Sequence, residues 1–230
     1  MFGRGGRLWY QPKSMGDTPL GWAAASGHEA VVELLLGRAD VDPDKPGLDG
    51  QTPLTLAAIG GHEGVVKMLL GRDDVNLNKL DENDETPLGW AAYNGKEGVV
   101  KILLGRDDIN PDKPGEGGIT PLGWAAYNGQ KGVVKMLLGR DDVSPDSLDN
   151  RGQTPLSRAA QCGHVEVVEI LLGRNDVNPN KPDVFGQIPL CHASENGHGE
   201  VMEMLVERGG VDPGTPCGDD CPGCFALLGV

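Results

Sequence analysis

Apolar positions in this chain come in two short stripes at helical spacing, separated by a glycine and followed by a polar, turn-rich connector. Between Asp84 and Gly117, Leu88, Ala91 and Ala92 form the first stripe, and Val99, Val100, Ile102, Leu103 and Leu104 form the second. Lys96, Glu97 and Lys101 supply the polar side of the second helix. Thr86 is suited to cap the first helix, because its hydroxyl can accept from a free amide two or three residues on. Pro87 then takes the first helical position, where a missing N–H costs nothing. Gly95 ends that helix in a left-handed conformation. Arg106, after Gly105, lies at the negative end of the second helix's dipole. The connector from Asp107 to Pro114 is rich in turn formers, and its prolines leave room only for short hairpin pairing.

The same block returns with a step of 34 residues, as Thr18-Pro19-Leu20, Thr52-Pro53-Leu54, Thr86-Pro87-Leu88, Thr120-Pro121-Leu122, Thr154-Pro155-Leu156 and, altered, Ile188-Pro189-Leu190. A period of this length means stacked helical units, each unable to bury its apolar face alone. The predicted fold is therefore an all-α repeat protein, a solenoid of helix-turn-helix units with projecting β-hairpin-like loops. Six units are read at 16–49, 50–83, 84–117, 118–151, 152–185 and 186–216. The sixth diverges at Ile188, Cys191, His192, Met202 and Val206 and is read as a C-terminal cap. Residues 1–15, with Trp9, Tyr10 and Met15, are read either as a cover for the first unit or as a leader. Residues 217–230 form a cysteine-containing tail.

The Thr-Pro-Leu start, the glycine turn, the Val-Val-x-x-Leu-Leu second helix and the period together resemble the ankyrin repeat, over all six units. One departure is systematic: the histidine of the family's Thr-Pro-Leu-His start is replaced by Gly21, Thr55, Gly89, Gly123, Ser157 and Cys191. That implies a missing local brace, with Trp22, Trp90 and Trp124 placed to fill space instead. The connector resembles a variant found in arrays joined to large signalling NTPases of the innate-immunity type, although no NTPase segment occurs in this sequence. The resemblance implies a non-catalytic protein-binding scaffold, in one version the recognition region of a larger signalling receptor. Alternatives are an adaptor or inhibitory subunit of an enzyme, and a small zinc protein.

The formal charge of −14 disfavours phosphate backbones as partners and favours basic protein surfaces. No apolar run is long enough to span a bilayer, and no apolar segment follows the basic start Arg4–Arg7. Five cysteines in a chain of this length do not suggest a disulfide framework. The expected setting is intracellular, in the cytoplasm, with the chain a monomer, without cofactor, and with another protein as partner rather than nucleic acid or membrane.

Catalytic motifs are not found. His28-Glu29 and His62-Glu63 open like a zinc-protease motif, but Val32 and Val66 stand where its second histidine is needed. His28, His62, His164 and His198 recur at one place in their units, which points to a structural role at the helix–helix turn. Cys217, Cys221 and Cys224 are one ligand short of a zinc site, and His192 or His198 would have to complete it. Arg38, Arg72, Arg106, Arg140, Arg174 and Arg208 form a ladder, read as helix C-caps neutralised by acids such as Asp40, Asp73 or Asp107 rather than as an anion-binding stripe.

Partner contact is expected where the family places it, at the loop beside each Thr-Pro-Leu and at the end of the first helix. Those positions hold Leu48, Asp49, Gln51 and Ile59, then Glu82, Asn83, Glu85, Tyr93 and Asn94. The next units supply Glu116, Ile119, Tyr127 and Asn128, then Asn150, Arg151, Gln153 and Gln161, then Val184, Phe185, Gln187, Glu195 and Asn196. At ordinary helix spacing this strip is about 50 Å long. Tyr93 and Tyr127, equivalent residues of adjacent units, are its expected anchors. Their identical surroundings, Thr86–Gly95 and Thr120–Gly129, are equally explained by duplication.

Overall fold

The computed structural model describes residues 18–47, 49–208 and 210. The expected leader and the cysteine tail lie outside these residues. Twelve α-helices occur in six pairs: α1 Pro19–Ala25 and α2 Glu29–Leu36, α3 Pro53–Gly60 and α4 Glu63–Leu70, α5 Pro87–Tyr93 and α6 Glu97–Leu104. The remaining pairs are α7 Pro121–Tyr127 and α8 Lys131–Leu138, α9 Pro155–Cys162 and α10 Val165–Leu172, α11 Pro189–Glu195 and α12 Gly199–Glu207. Among the described residues there is no strand.

Each first helix starts as its sequence dictates. The hydroxyl of Thr18, Thr52, Thr86, Thr120 and Thr154 accepts the amide three residues on, at 2.9–3.2 Å. Ile188 offers no such bond, which leaves α11 with the weakest start. The turn between paired helices is a Schellman motif: in the fifth unit the Gly163 amide bonds Ala160 O and the His164 amide bonds Ala159 O, with Gly163 at φ 73°.

The first helices pack on one another in one layer and the second helices in another. Two leucine columns fix that stacking. Leu20, Leu54, Leu88, Leu122, Leu156 and Leu190 run through the first layer; Leu69, Leu103, Leu137, Leu171 and Leu205 run through the second, and all are at most 2% exposed. Alanine pairs such as Ala91-Ala92 and Ala125-Ala126, fully buried, let the first helices approach closely. In the first unit Trp22, Val31 and Leu34 are exposed, since no described unit precedes it.

Polar ladders join the units at two levels. The guanidinium of Arg72, Arg106, Arg140 or Arg174 donates to the carbonyl of Leu36, Leu70, Leu104 or Leu138 at the preceding helix end. The same guanidinium grips the carboxylate two residues on: Asp74, Asp108, Asp142 or Asp176. These four arginines are therefore neutralised caps, as expected, but by these acids rather than by Asp73 and Asp107; two residues of separation let both guanidinium nitrogens face both carboxylate oxygens. Arg38 pairs with Asp40 as expected, whereas Arg208 departs from the ladder and pairs with Glu169. At the turns, His62, His164 and His198 place Nε2 3.0–3.1 Å from the carbonyls of Ala25, Tyr127 and Gln161 one unit back. A carbonyl only accepts, so Nε2 carries the proton in each.

Candidate functional site

The finger loops between units begin with a repeated hub. Asp81 Oδ1 accepts the amides of Asn83 and Glu85, Asp149 Oδ1 those of Arg151 and Gln153, and Asp183 Oδ1 those of Phe185 and Gln187, all at 2.7–3.0 Å. The five loops close with one backbone bond from their first residue to their fifth, as from Asp81 N to Glu85 O at 3.1 Å. Neighbouring fingers are linked once each where Glu82 N meets Asp49 O, Asn150 N meets Gly117 O and Val184 N meets Arg151 O, at 2.8–3.3 Å. The fingers are thus hairpin-like in closure without forming a ladder.

The second oxygen of each hub acid faces the residue nine positions later, on the following first helix. Asp81 Oδ2 accepts from Trp90 Nε1 at 2.7 Å, Asp149 pairs with Arg158 inside the protein, and Asp183 lies 3.2 Å from His192 Nε2. In the third finger Gly115 replaces the acid, and the Trp124 indole of the fourth unit instead reaches back to Glu85 Oε2 at 2.5 Å. Glu85 Oε1 also accepts the Thr86 amide at 2.9 Å. Gly89 and Gly115 make room for this carboxyl: a Cβ on either would lie 1.8–2.1 Å from its oxygens. Burial pushes the Glu85 carboxyl up to about 7, against the pull of its Thr86 and Trp124 donors.

Above these hubs the rings of adjacent units meet edge to face. Trp90 and Tyr93 have centroids 5.8 Å apart, Tyr93 and Trp124 5.2 Å, and Trp124 and Tyr127 6.2 Å. The Arg158 guanidinium sits 5.8 Å over the Tyr127 ring. Ring and cation therefore run continuously across the third, fourth and fifth units.

Of the expected contact residues, Tyr127, Glu82, Asn83, Glu116, Asn150, Arg151, Val184, Phe185, Glu195 and Asn196 are exposed. Asp49, Ile59, Tyr93, Asn94, Asn128, Gln161 and Gln187 are half-buried. Leu48 lies outside the described residues. Gln51, Glu85, Ile119 and Gln153, however, are buried, at 3–7% exposure. They occupy the base of the fingers rather than the tips: Gln51 bonds Asp81 at 3.4 Å, and the Gln153 amide lies 3.3 Å from His192 Nε2. Asn94 and Asn128 turn inward too, donating to Trp90 O and Trp124 O. Sequence reasoning missed Asp81, Asp149, Asp183 and Arg158; the signal was an acid nine residues before Trp90, Arg158 and His192.

The missing histidine brace is replaced in two units by paired hydroxyls, Thr52 with Thr55 at 3.0 Å and Thr154 with Ser157 at 3.1 Å. These caps, turns and finger hubs, repeated through six helix pairs, are matched by the family description "Ankyrin repeats (3 copies)" over residues 20–114, 74–146, 105–183 and 122–217. The chain belongs to the ankyrin-repeat family. Among curated proteins none matches it. Ankyrin repeats are generally protein–protein interaction modules and typically non-catalytic. Among the described residues of this ankyrin array, no helix is long and apolar enough to cross a membrane, and no three metal-ligating side chains cluster. A cavity of about 260 Å³ at the turns of the fourth and fifth repeats is lined by Gly129, Gly163, His164 and Glu166. Its polar groups are already engaged, His164 with Tyr127 O and Glu166 with Lys131 at 2.6 Å.

Proposed function

We propose that this chain is a non-catalytic scaffold that binds a partner protein along the face formed by its fingers and first helices, as the recognition region of a larger signalling receptor. The observation that supports it is the Trp90–Tyr93–Trp124–Tyr127–Arg158 series, a row of ring edges and faces held rigid by buried hub acids. Rigid aromatic side chains give large contact area at low entropic cost, and pre-organisation lowers what binding must spend on ordering. The reading takes the chain as an intracellular monomer acting without a cofactor.

Tyr127 and Phe185 are both exposed, Phe185 at 72%. Replacing both by alanine should abolish capture of partners in affinity purification with crosslinking, while lowering thermal unfolding by no more than about 5 °C, the share of Tyr127's contacts with Trp124 and Arg158. A doubly substituted protein that still retained every partner of the parent would show that the contact surface lies elsewhere.

A further inference from the structure

The first four connectors, each leading from a second helix to the next unit, share one bond between units, and one of them makes it differently. Asp44, Asp112 and Asp146 each accept a backbone amide of the following unit, from Asn76, Ser144 and Asn178, through Oδ2 at 2.7–2.8 Å. Asn78, at the equivalent place in the second connector, accepts the Asn110 amide through Oδ1 at 2.9 Å. Its side-chain nitrogen then donates to the carbonyl of Asp108 at 2.9 Å. The three aspartates carry an oxygen where Asn78 carries that nitrogen. In each of them Oδ1 is buried and has no hydrogen-bond partner. The carbonyls matching that of Asp108, those of Asp74, Asp142 and Asp176, accept no backbone amide among the described residues. An acceptor therefore meets an acceptor unless the carboxyl carries a proton.

The charges around the three acids are not alike. Lys79 and Lys181 donate to the backbone carbonyls of Asp44 and Asp146 and bear on their carboxyls. Asp42 and Asp74 also face Asp44, and Asp176 faces Asp146. At the place of those lysines the fourth unit has Ser147, which bonds Thr120 at 3.0 Å. The charged group bearing on Asp112 is Asp142, itself paired with Arg140, while Lys113 is turned back to Asn78 O. Desolvation pushes all three carboxyls above the ordinary 3.8.

We propose that Asp44, Asp112 and Asp146 are acid-operated clasps between units. Protonated, each donates its O–H to the carbonyl of Asp74, Asp142 or Asp176, as the Asn78 amide does at every pH. Ionised, each turns an unpaired oxygen on that carbonyl and loosens its connector. Acidic surroundings thus stiffen the joints of the first with the second unit, the third with the fourth and the fourth with the fifth. The joint between the second and third units stays fastened throughout. Each clasp contributes stability that is fully present below 3.8 and is lost as pH rises through the folded midpoint. Asp112, with no lysine beside it, gives up its proton last.

The test follows the aspartate carboxyl carbons of the full chain by NMR from about pH 3 to about pH 8, with paired urea titrations of Asp112→Asn and Asn78→Asp. Asp112 should titrate above the ordinary value and above both Asp44 and Asp146. Asp112→Asn, which copies Asn78, should gain on the parent as pH rises, by about fivefold or more in the folding equilibrium constant. Asn78→Asp should match the parent at the acid end and fall behind it towards neutrality, by a smaller factor because Lys113 lies near. A difference between parent and Asp112→Asn that stays constant with pH, or an Asp112 carboxyl that titrates at or below the ordinary value, would overturn the inference. So would calcium chloride that stabilises the parent at neutral pH but not Asp112→Asn, since the unpaired oxygen would then be a cation ligand.

Discussion

Glu85 shows how a single residue carries both packing and charge in this array. Its carboxyl is buried at the base of the second finger, accepts the Thr86 amide and the Trp124 indole, and is pushed from an ordinary 4.5 up to about 7 by desolvation. The folded state therefore holds a proton that the unfolded state has released between those values. Below pH 4.5 both states are protonated and the residue is neutral for stability. As pH rises towards 7 the unfolded state binds fewer protons, so stability falls, and above 7 it levels off. The full span corresponds to about 3 kcal/mol. Glu85→Gln should consequently gain on the parent as pH rises from 5 to 8 in paired urea titrations. A constant offset would reflect the lost acceptor for Trp124, so only the slope is diagnostic; a flat difference curve would show that Glu85 ionises normally. Trp124→Phe removes a donor that favours the ionised form, and the Glu85 carboxyl followed by NMR should then titrate above its parent midpoint.

At the level of elements, the helix–turn–helix unit is held by what its turn touches next door. Gly163 and Gly197 share φ 73°, so alanine at either is strained in the same way, by about 1 kcal/mol or somewhat more. Their surroundings differ. A Cβ on Gly163 would lie 2.5 Å from His198 Nδ1, whereas one on Gly197 meets nothing within 4 Å. Gly163→Ala should therefore destabilise more than Gly197→Ala, by about 1 kcal/mol extra as His198 is displaced from its bond to Gln161 O. Equal losses in chemical denaturation would mean the histidine ladder contributes nothing between units. This unit was legible in the sequence because its signals are local: Thr86 as cap, Pro87 at the helix start and Gly95 at the turn each act on their own few residues. The turn histidines were legible from their recurrence alone. The finger interior was not. Gln51, Glu85, Ile119 and Gln153 stand in a polar, loop-like stretch, and only the packing of the next unit's first helix buries them. Arg158 reads as one more surface cation until Asp149, nine residues earlier, is seen to face it.

Across the whole molecule, stability is spread along two leucine columns buried in one core, along which first helices pack on first helices and second helices on second helices. Such an array behaves as a nearly one-dimensional chain of units and interfaces, cooperative only while every interface outweighs local fraying. Leu122 is fully buried in the fourth unit, with helices stacked on both sides, and Leu205 is equally buried but belongs to the last described pair. Truncating either to alanine leaves a cavity worth about 2–5 kcal/mol. The consequences should nonetheless differ in kind. Leu205→Ala weakens an end unit that already lacks a side-chain cap on α11, so α11 and α12 should open first while the other units unfold together. Leu122→Ala weakens the coupling between the two halves of the stack, so unfolding should broaden or split in two. Hydrogen exchange across a urea series resolves these outcomes: early protection loss confined to α11–α12 for Leu205→Ala, and separate midpoints for the units on either side of α7 for Leu122→Ala. A single sharp transition of unchanged steepness in both variants would mean the rod unfolds as one globular core, and the nearest-neighbour account of its stability would have to be abandoned.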